Sequence, residues 1–403
     1  MPGRDLHAVY RRLGLFLGSI GEISEETEIL HFARPGHWSL ERSPDELSEI
    51  QSSYWGRSVK VRAVPGNPFN ASLMGHARSV FSAAHQGAFA GFSGQNQLRS
   101  IRSSLRGTHQ LIFAHRLGAM MPLLRIGEDL APVAFDLDDI EHWTVLRAAV
   151  ERLGSARETR RLLHVPAIIS AEYRAAKLAR RTFVCSDLDT SYLRSMRFGD
   201  GVSCIPNAID VPRDIEPHSR EPTVLFLGSY QYAPNADAAD RLISRIWPKI
   251  GSAKPAARLV IAGRSPHLIK SFASAPASVE FPGIVEDLEE LYRDTRIVCC
   301  PITRGGGTRL KLVEAAAYGR AIVSTAIGAE GLSFHNERDI LVLDSDEAIA
   351  DACIRLLADS ELCQQLGREA HLAARQNYDA RQVRALIKAH LLDAIRPEAR
   401  ACA

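Results

Sequence analysis

The residues best able to do chemistry lie in one stretch, Cys300–Gly331, which reads CPITRGGGTRLKLVEAAAYGRAIVSTAIGAEG. Gly305, Gly306 and Gly307 follow an apolar run and precede a helical pattern. With no Cβ to block approach, their backbone N–H groups can gather around one anion. The start of the following helix adds partial positive charge. Thr308 offers a helix cap and a hydroxyl. Arg304, Arg309 and Lys311 surround the loop with full charges. A diphosphate is the natural guest. Glu314 follows about two helical turns on, roughly 10 Å away, inside the apolar run Leu312–Ala317. A carboxylate there is costly unless paired or solvated. It reads either as a helix-surface glutamate or as the acceptor for a vicinal diol such as a ribose.

Other phosphate and nucleophile motifs are missing. The chain has no GxxxxGK[ST], no GxGxxG opening a helix after a strand, and no GxSxG, which disfavours P-loop enzymes, dinucleotide folds and serine hydrolases. A second cluster, Asp136-Leu137-Asp138-Asp139-Ile140-Glu141-His142, closes the apolar run Ala131–Phe135. Asp138 and Asp139 are the candidate catalytic carboxylates. The same residues also read as a helix cap with an acidic first turn, or as a carboxylate pair able to hold Mg²⁺. No metal ligand is assigned. His115, after Leu111–Ala114, is a further strand-end candidate, read as structural.

Charge is unevenly spread. Net charge is +2, yet Gln51–Gly127 contains no Asp or Glu and nine basic residues. Within it, Gln95–Arg106 reads as a helix with Leu98, Ile101 and Leu105 on one face and Arg99, Arg102 and Arg106 on another. That face reads as solvated surface or as a meeting place for an anion. A membrane leaflet, at roughly 1 kcal/mol per basic residue, and a phosphorylated acceptor are the candidates. Nucleic acid is disfavoured by the overall charge and the lack of a binding motif.

These residues need elements to position them. With 403 residues, 46% hydrophobic and 24% charged, the chain has room for two or three domains. Seven scattered Cys without CxxC spacing argue against a disulfide scaffold or zinc site and for reduced thiols in a cytoplasm. No stretch suits an export signal or a membrane span. Strands are expected at 27–32, 59–64, 111–114, 133–136, 182–185 and 202–205, with helices between, notably 4–17 and a long one over 141–180. Residues 206–222, rich in Pro, read as a linker. The alternation then restarts, with strands at 224–227, 258–262, 279–281, 297–300, 321–324 and 340–343. Helices are expected at 235–247, 287–292 and 309–318, and from 347 to the end. The expected fold is α/β, with two doubly wound, Rossmann-like domains facing a cleft.

The glycine segment resembles the donor-binding core of the family 4 (group 1) glycosyltransferases, which have the GT-B fold. The resemblance rests on Gly305–Gly331, with Lys311, Glu314, Ala315, Gly319 and the closing Gly328-Ala329-Glu330-Gly331. Val224–Asn235, Trp247-Pro248, Leu259–Gly263 and Phe281-Pro282-Gly283 with Asp287-Leu288 extend it, as do Cys185-Ser186-Asp187 and Ile205–Asn207. It implies residues 1–205 as an acceptor-side domain, 223–376 as the nucleotide-sugar domain, and a helix in 377–403 crossing back to the first. It also implies sugar transfer from a nucleotide-diphosphate sugar with retention, without metal or cofactor. Glu314 would hold the ribose; Arg304, Gly305–Thr308, Arg309 and Lys311 the diphosphate; Gly228 and Ser229 its other side; and Glu330 would lie near the donor. The acceptor is a glycan, lipid-linked or small-molecule species, in cell-surface polysaccharide or glycolipid synthesis. The place implied is the cytoplasm, at the inner face of the plasma membrane.

Three departures stand out. Gly306 takes the place of the first Glu of the family's E-x7-E motif. Tyr230–Asn235 replaces its basic pair. The chain opens on helix 4–17 rather than on the family's first strand and glycine loop. A nucleotide-sugar epimerase and a degenerate binding or assembly subunit are the alternative readings.

Overall fold

The computed structural model describes residues 8–33, 36–66, 78–86, 89, 92, 94–105, 109–127, 130–151, 161–215 and 221–396. They form two compact units. One comprises Met1–Pro206 with Gln382–Ala403, the other Asn207–Arg381.

The first unit begins with α1 (Ala8–Ile23) and β1 (Glu28–Ala33). Next comes α2 (Pro44–Trp55), which starts on a reciprocal cap between Ser43 and Glu46 and stops at left-handed Gly56. Then follow β2 (Lys60–Pro65), α3 (Gln95–Ser104), β3 (Ile112–His115), α4 (Arg116–Ile126), β4 (Val133–Asp138) and α5 (Glu141–Glu151). The unit continues with α6 (Val165–Leu178), β5 (Arg181–Val184), α7 (Asp187–Ser195) and β6 (Val202–Cys204). β1 and β2 pair as a two-stranded parallel sheet, and β3-β4-β5-β6 form a four-stranded parallel one. All six residues of β4 are buried, as expected of a parallel strand covered on both faces.

Among the described residues the expected long helix over 141–180 is broken: α5 covers Glu141–Glu151, Arg161 and Leu162 are helical, a turn follows at 163–164, and α6 begins at Val165; residues 152–160 lie outside the described set. Pro166 sits in the first turn of α6, where a missing N–H costs nothing. The periodicity is helical on both sides of the break, so the pattern alone joins them.

Arg12 of α1 is buried within this unit. It bonds both oxygens of Asp136 on β4, at 3.0 and 2.6 Å, and the carbonyl of Ile205 at 2.7 Å. Burial pushes the Asp136 carboxyl up, but Arg12, with His115 at 2.8 Å, holds it below the usual carboxylate range. Breaking a buried pair by removing one partner costs about 3–5 kcal/mol. Arg12→Met should therefore lower Tm by roughly 10 °C in a domain of this size, a shift calorimetry will show.

The second unit holds β7 (Thr223–Leu227), α8 (Ala233–Arg241), α9 (Trp247–Ala253), β8 (Arg258–Ala262), β9 (Val279–Gly283), α10 (Leu288–Arg293) and β10 (Ile297–Cys300). It continues with α11 (Leu310–Ala317), β11 (Ala321–Ser324), α12 (Ala326–Ala329), β12 (Leu341–Val342), α13 (Asp346–Ala358) and α14 (Ser360–Tyr378). The final helix, α15 (Ala380–Ile395), packs largely with the first unit: Arg180 bonds the Ala394 carbonyl at 3.1 Å, and Ser19 bonds that of Arg384 at 3.2 Å.

The helix expected over 235–247 is interrupted. Leu242–Ile246 form a π-helical turn between α8 and α9. Pro248, in the first turn of α9, has no amide hydrogen to continue the four-residue ladder. The proline-rich stretch 206–222 is not a free linker. Ala208, Ile209 and Val211 are buried, and Ile209 bonds Tyr378 at 3.0 Å and Ala380 at 2.8 Å through its backbone. Their apolar side chains outweigh the proline signal.

Candidate functional site

The six strands of the second unit are all parallel and run β12-β11-β10-β7-β8-β9. Counted within the unit this is the doubly wound order, which reverses between β7 and β10. Ligands of such sheets bind outside the strand ends at that reversal. The loop after β7 starts with Gly228-Ser229, and the loop after β10 is 301–309. The glycine segment and Gly228 thus meet at the one place where the topology opens a crevice.

Close packing explains the glycines. A Cβ on Gly228 would lie 2.8 Å from the Asn235 amide nitrogen and 3.1 Å from Lys311 Nζ. On Gly263, at φ +129°, it would strike the Gly228 carbonyl oxygen at 1.8 Å. Gly305, at φ +105°, lies under the Tyr232 hydroxyl, 2.6 Å from where a Cβ would be. Tyr232 and Pro234, in the stretch that replaces the expected basic pair, therefore touch the glycine loop.

The three cations differ in what they face. Arg304 forms an ion pair with Asp237 of α8. Arg309 turns back on its own loop, donating to the carbonyls of Gly306 at 2.8 Å and Gly305 at 3.1 Å. Lys311 reaches the neutral side chain of Asn235 at 2.8 Å and lies 4.4 Å from the Phe226 ring centroid. Burial, with Arg309 nearby, lowers its pKa from 10.5 to about 8. Asn235 is held in turn through its amide, which donates to the Ser229 carbonyl at 3.0 Å.

Thr308 does not cap the helix. The cap position is Arg309, with no side-chain cap, and the Thr308 hydroxyl accepts from Asn207 at 2.9 Å. The first amides of α11 are thus left without a side-chain acceptor, the state in which a helix start attracts an anion.

Glu314 is buried on α11, and its Oε2 accepts from the Tyr292 hydroxyl at 3.0 Å. Tyr292, on α10, also reaches the Lys311 carbonyl at 3.3 Å and stacks on Tyr318, with centroids 5.0 Å apart. Sequence reasoning missed Tyr292. Its only signal is an aromatic on the inner face of a short amphipathic helix, which reads as core. Glu330 is half-buried just after α12, whose first turn Thr325 caps at Gly328 N, 2.9 Å away. Gly331 follows at φ +74°.

Tyr292→Phe removes one hydrogen bond to a carboxylate, worth about 1–1.5 kcal/mol. UDP and uridine should each bind roughly five- to tenfold more weakly, while inorganic pyrophosphate binds unchanged. Calorimetry with the three ligands separates loss of Glu314 positioning from a general loosening of the fold.

In the first unit, Asp138 closes β4 at φ +63°. Its oxygens face Arg116 at 2.8 Å and Arg12 at 3.3 Å, so the carboxylate already has two counter-charges. Burial and the Asp138 charge raise Asp139 to about 6. Cys185 Sγ donates to the Asp138 carbonyl at 3.1 Å, and its ligand atom lies within 4.8 Å of those of both aspartates. His142 is fully buried between Glu172 and Tyr192, the latter at 2.8 Å. On α3, Arg99 and Arg102 are exposed while Leu98 and Ile101 are buried; Arg106 lies outside the described residues. Among the described residues no helix is long and apolar enough to cross a membrane.

Residues 221–359 match the family model described as glycosyl transferases group 1. An uncharacterized 44.6 kDa protein in the cps region of Klebsiella pneumoniae is 22% identical over 168 residues, 40% of this chain. The aligned stretch spans 43% of that relative's length. Anabaena HepE, crystallised with UDP and glucose, superposes with TM-score 0.63 at 14% identity, over 97% of this chain and 96% of its own. S. aureus TarM, as a variant bound to fondaparinux, alpha-GlcNAc-glycerol and UDP, gives 0.58 at 13% identity, over 74% of this chain and 58% of its own. The chain has the GT-B fold, and residues 221–359 of its second unit are similar to the group 1 glycosyltransferases.

Proposed function

We propose that the chain is a retaining glycosyltransferase that moves a sugar from a nucleotide-diphosphate sugar to a glycan, lipid-linked or small-molecule acceptor, without metal. The observation that carries this is the placing of Lys311, the uncapped start of α11 and the glycine loop at the sheet reversal, with Glu314 fixed on the same helix. Lys311 and the amides of α11 would stabilise charge on the departing diphosphate as the anomeric carbon becomes cationic. Glu314 would accept from the ribose hydroxyls.

The family model over the second unit supports this reading. So does the presence of UDP in HepE and TarM. We place the acceptor in cell-surface polysaccharide or glycolipid synthesis and the enzyme at an anionic membrane face, which Arg99 and Arg102 would meet.

Calorimetry with UDP, GDP and ADP, with and without Mg²⁺, tests the reading. One nucleotide should bind at micromolar level, indifferent to Mg²⁺, and its sugar derivative should turn over with an acceptor. A single observation favours a second reading, a non-catalytic binding subunit: Gly306 stands where the resemblance expects a carboxylate. Nucleotide binding with no turnover on any acceptor would select it, and binding of none would overturn the donor site.

A further inference from the structure

The carboxyl ends of β3 and β4 carry polar groups left without partners. His115 ends β3, and its Nδ1 lies 2.8 Å from Asp136 Oδ2. Asp136 also holds the guanidinium of Arg12 and is kept ionised by it, so its oxygens can only accept. Nδ1 therefore carries the proton, and in the neutral ring Nε2 is a bare lone pair. That Nε2 is buried and has no hydrogen-bond partner. The next residue, Arg116, gives a terminal nitrogen to Asp138 at 2.8 Å, while its buried Nε–H is also unpartnered. Buried polar groups are normally paired, and a bond left unmade is costly. Here an unused acceptor and an unused donor stand on consecutive residues.

The backbone is strained at the same place. Arg116 and Asp138 are non-glycine residues in the left-handed region, at φ +65° and +63°. β4 slips register against β5 between Asp136 and Asp138. Bulges re-aim side chains, and left-handed residues without glycine persist where the surroundings over-determine them, which is most often at functional sites. His115, Arg116 and Glu141 line one cavity of the first unit, so both unused groups belong to residues that a guest can meet.

Charge decides the kind of guest. Arg12 and Arg116 are matched by Asp136 and Asp138, and Asp139 and Glu141 stand beside them. Burial and neighbouring carboxylates raise these last two to about 6 and about 7. The cluster thus has no surplus of positive charge, and a phosphate or carboxylate would gain nothing from it. A hydroxyl would, because it donates to a lone pair and accepts from an N–H at once.

We propose that His115 Nε2 and Arg116 Nε form a subsite for one hydroxyl of a neutral sugar. The proposal rests on the glycosyltransferase reading and names the group that its acceptor presents to the first unit, an unphosphorylated sugar. The sugar hydroxyl donates to Nε2, whose ring Asp136 holds in place, and Arg116 donates back to the same oxygen.

Saturation-transfer NMR on the full chain tests this, with glucose, mannose and N-acetylglucosamine as probes, each with and without a phosphate. At least one free sugar should give a signal, and its phosphate a weaker one. His115→Asn keeps a donor for Asp136 but places nothing at Nε2, so sugar affinity should fall roughly tenfold. His115→Gln, whose amide reaches the Nε2 position, should recover most of it. A merely structural His115 would give the opposite order, since Asn keeps the Asp136 bond. Silence from every free sugar, stronger binding of the phosphates, or a signal untouched by His115→Asn would each overturn the subsite. The sugar signal is read without nucleotide, and UDP calorimetry is run on the same samples. UDP that fails to bind wild type would remove the donor site alone, so the two readings fail separately.

Discussion

Glu314→Ala is expected to weaken UDP binding by about 10- to 100-fold, the worth of hydrogen bonds to a charged group at about 1.5–3 kcal/mol. Glu314 is buried and held by Tyr292 at 3.0 Å, so its carboxylate is presented in one orientation. Two readouts separate this from general damage. Inorganic pyrophosphate, which has no ribose, should bind both proteins alike. Glu314→Gln, which keeps one acceptor and the shape, should lose about tenfold less than Ala. Equal losses for UDP and pyrophosphate would remove Glu314 from the nucleoside half of the site.

The second large effect belongs to Lys311. Lys311→Met should cost roughly 30-fold or more in UDP affinity at pH 7, since a partly buried cation facing a diphosphate is worth about 2 kcal/mol or more. The wild-type pH profile carries the sign. Lys311 in the free protein titrates near 8 because burial disfavours its charge. A bound diphosphate favours the charged form, so binding takes up protons. Affinity should be flat below pH 8 and fall by up to tenfold per unit above it, and the Met variant should show no such fall.

The same shift sets a stability dependence. The folded value, about 8, lies below the unfolded 10.5, so between them the unfolded chain holds more protons and stability rises with pH. The penalty for burying charge is complete below pH 8 and fades toward 10.5. The Met variant lacks that penalty, so its Tm relative to wild type should decline as pH rises from 8 to 10.5. Paired melting curves at pH 7, 9 and 10.5 read this directly.

What the sequence makes legible is what local pattern controls. β8, β10 and β11 fall where the apolar runs place them, because each is a short buried stretch followed by Gly263, Pro301 or Thr325. Glu314 and Lys311 are visible because glycines, cations and a carboxylate follow one another within a few turns.

Other features depend on distant partners. Tyr292 gains its meaning only from Glu314, 22 positions away. Arg12 and Asp136, 124 apart, form a buried pair in the first unit, and nothing near either announces it. His142 reads only as the end of the acidic cluster 136–142 until Glu172 and Tyr192 enclose it. Thr308 fits a cap by type, yet Asn207, 101 positions away, claims its hydroxyl. The break at 242–246 stays hidden because a π turn keeps helical periodicity nearly intact while Pro248 alters the bonding beneath it.

Arg309 sets the kinetics of the site. By drawing the Gly305 and Gly306 carbonyls onto itself, it holds in place a glycine run whose residues are conformationally permissive. The ordering cost is therefore met once, when the unit folds, and not at each encounter with ligand. The carbonyls that would repel a diphosphate are already satisfied. Association should therefore be a single collision-limited phase with no slow loop-ordering step. Differences among nucleotide ligands should appear in how long they stay, not in how fast they arrive.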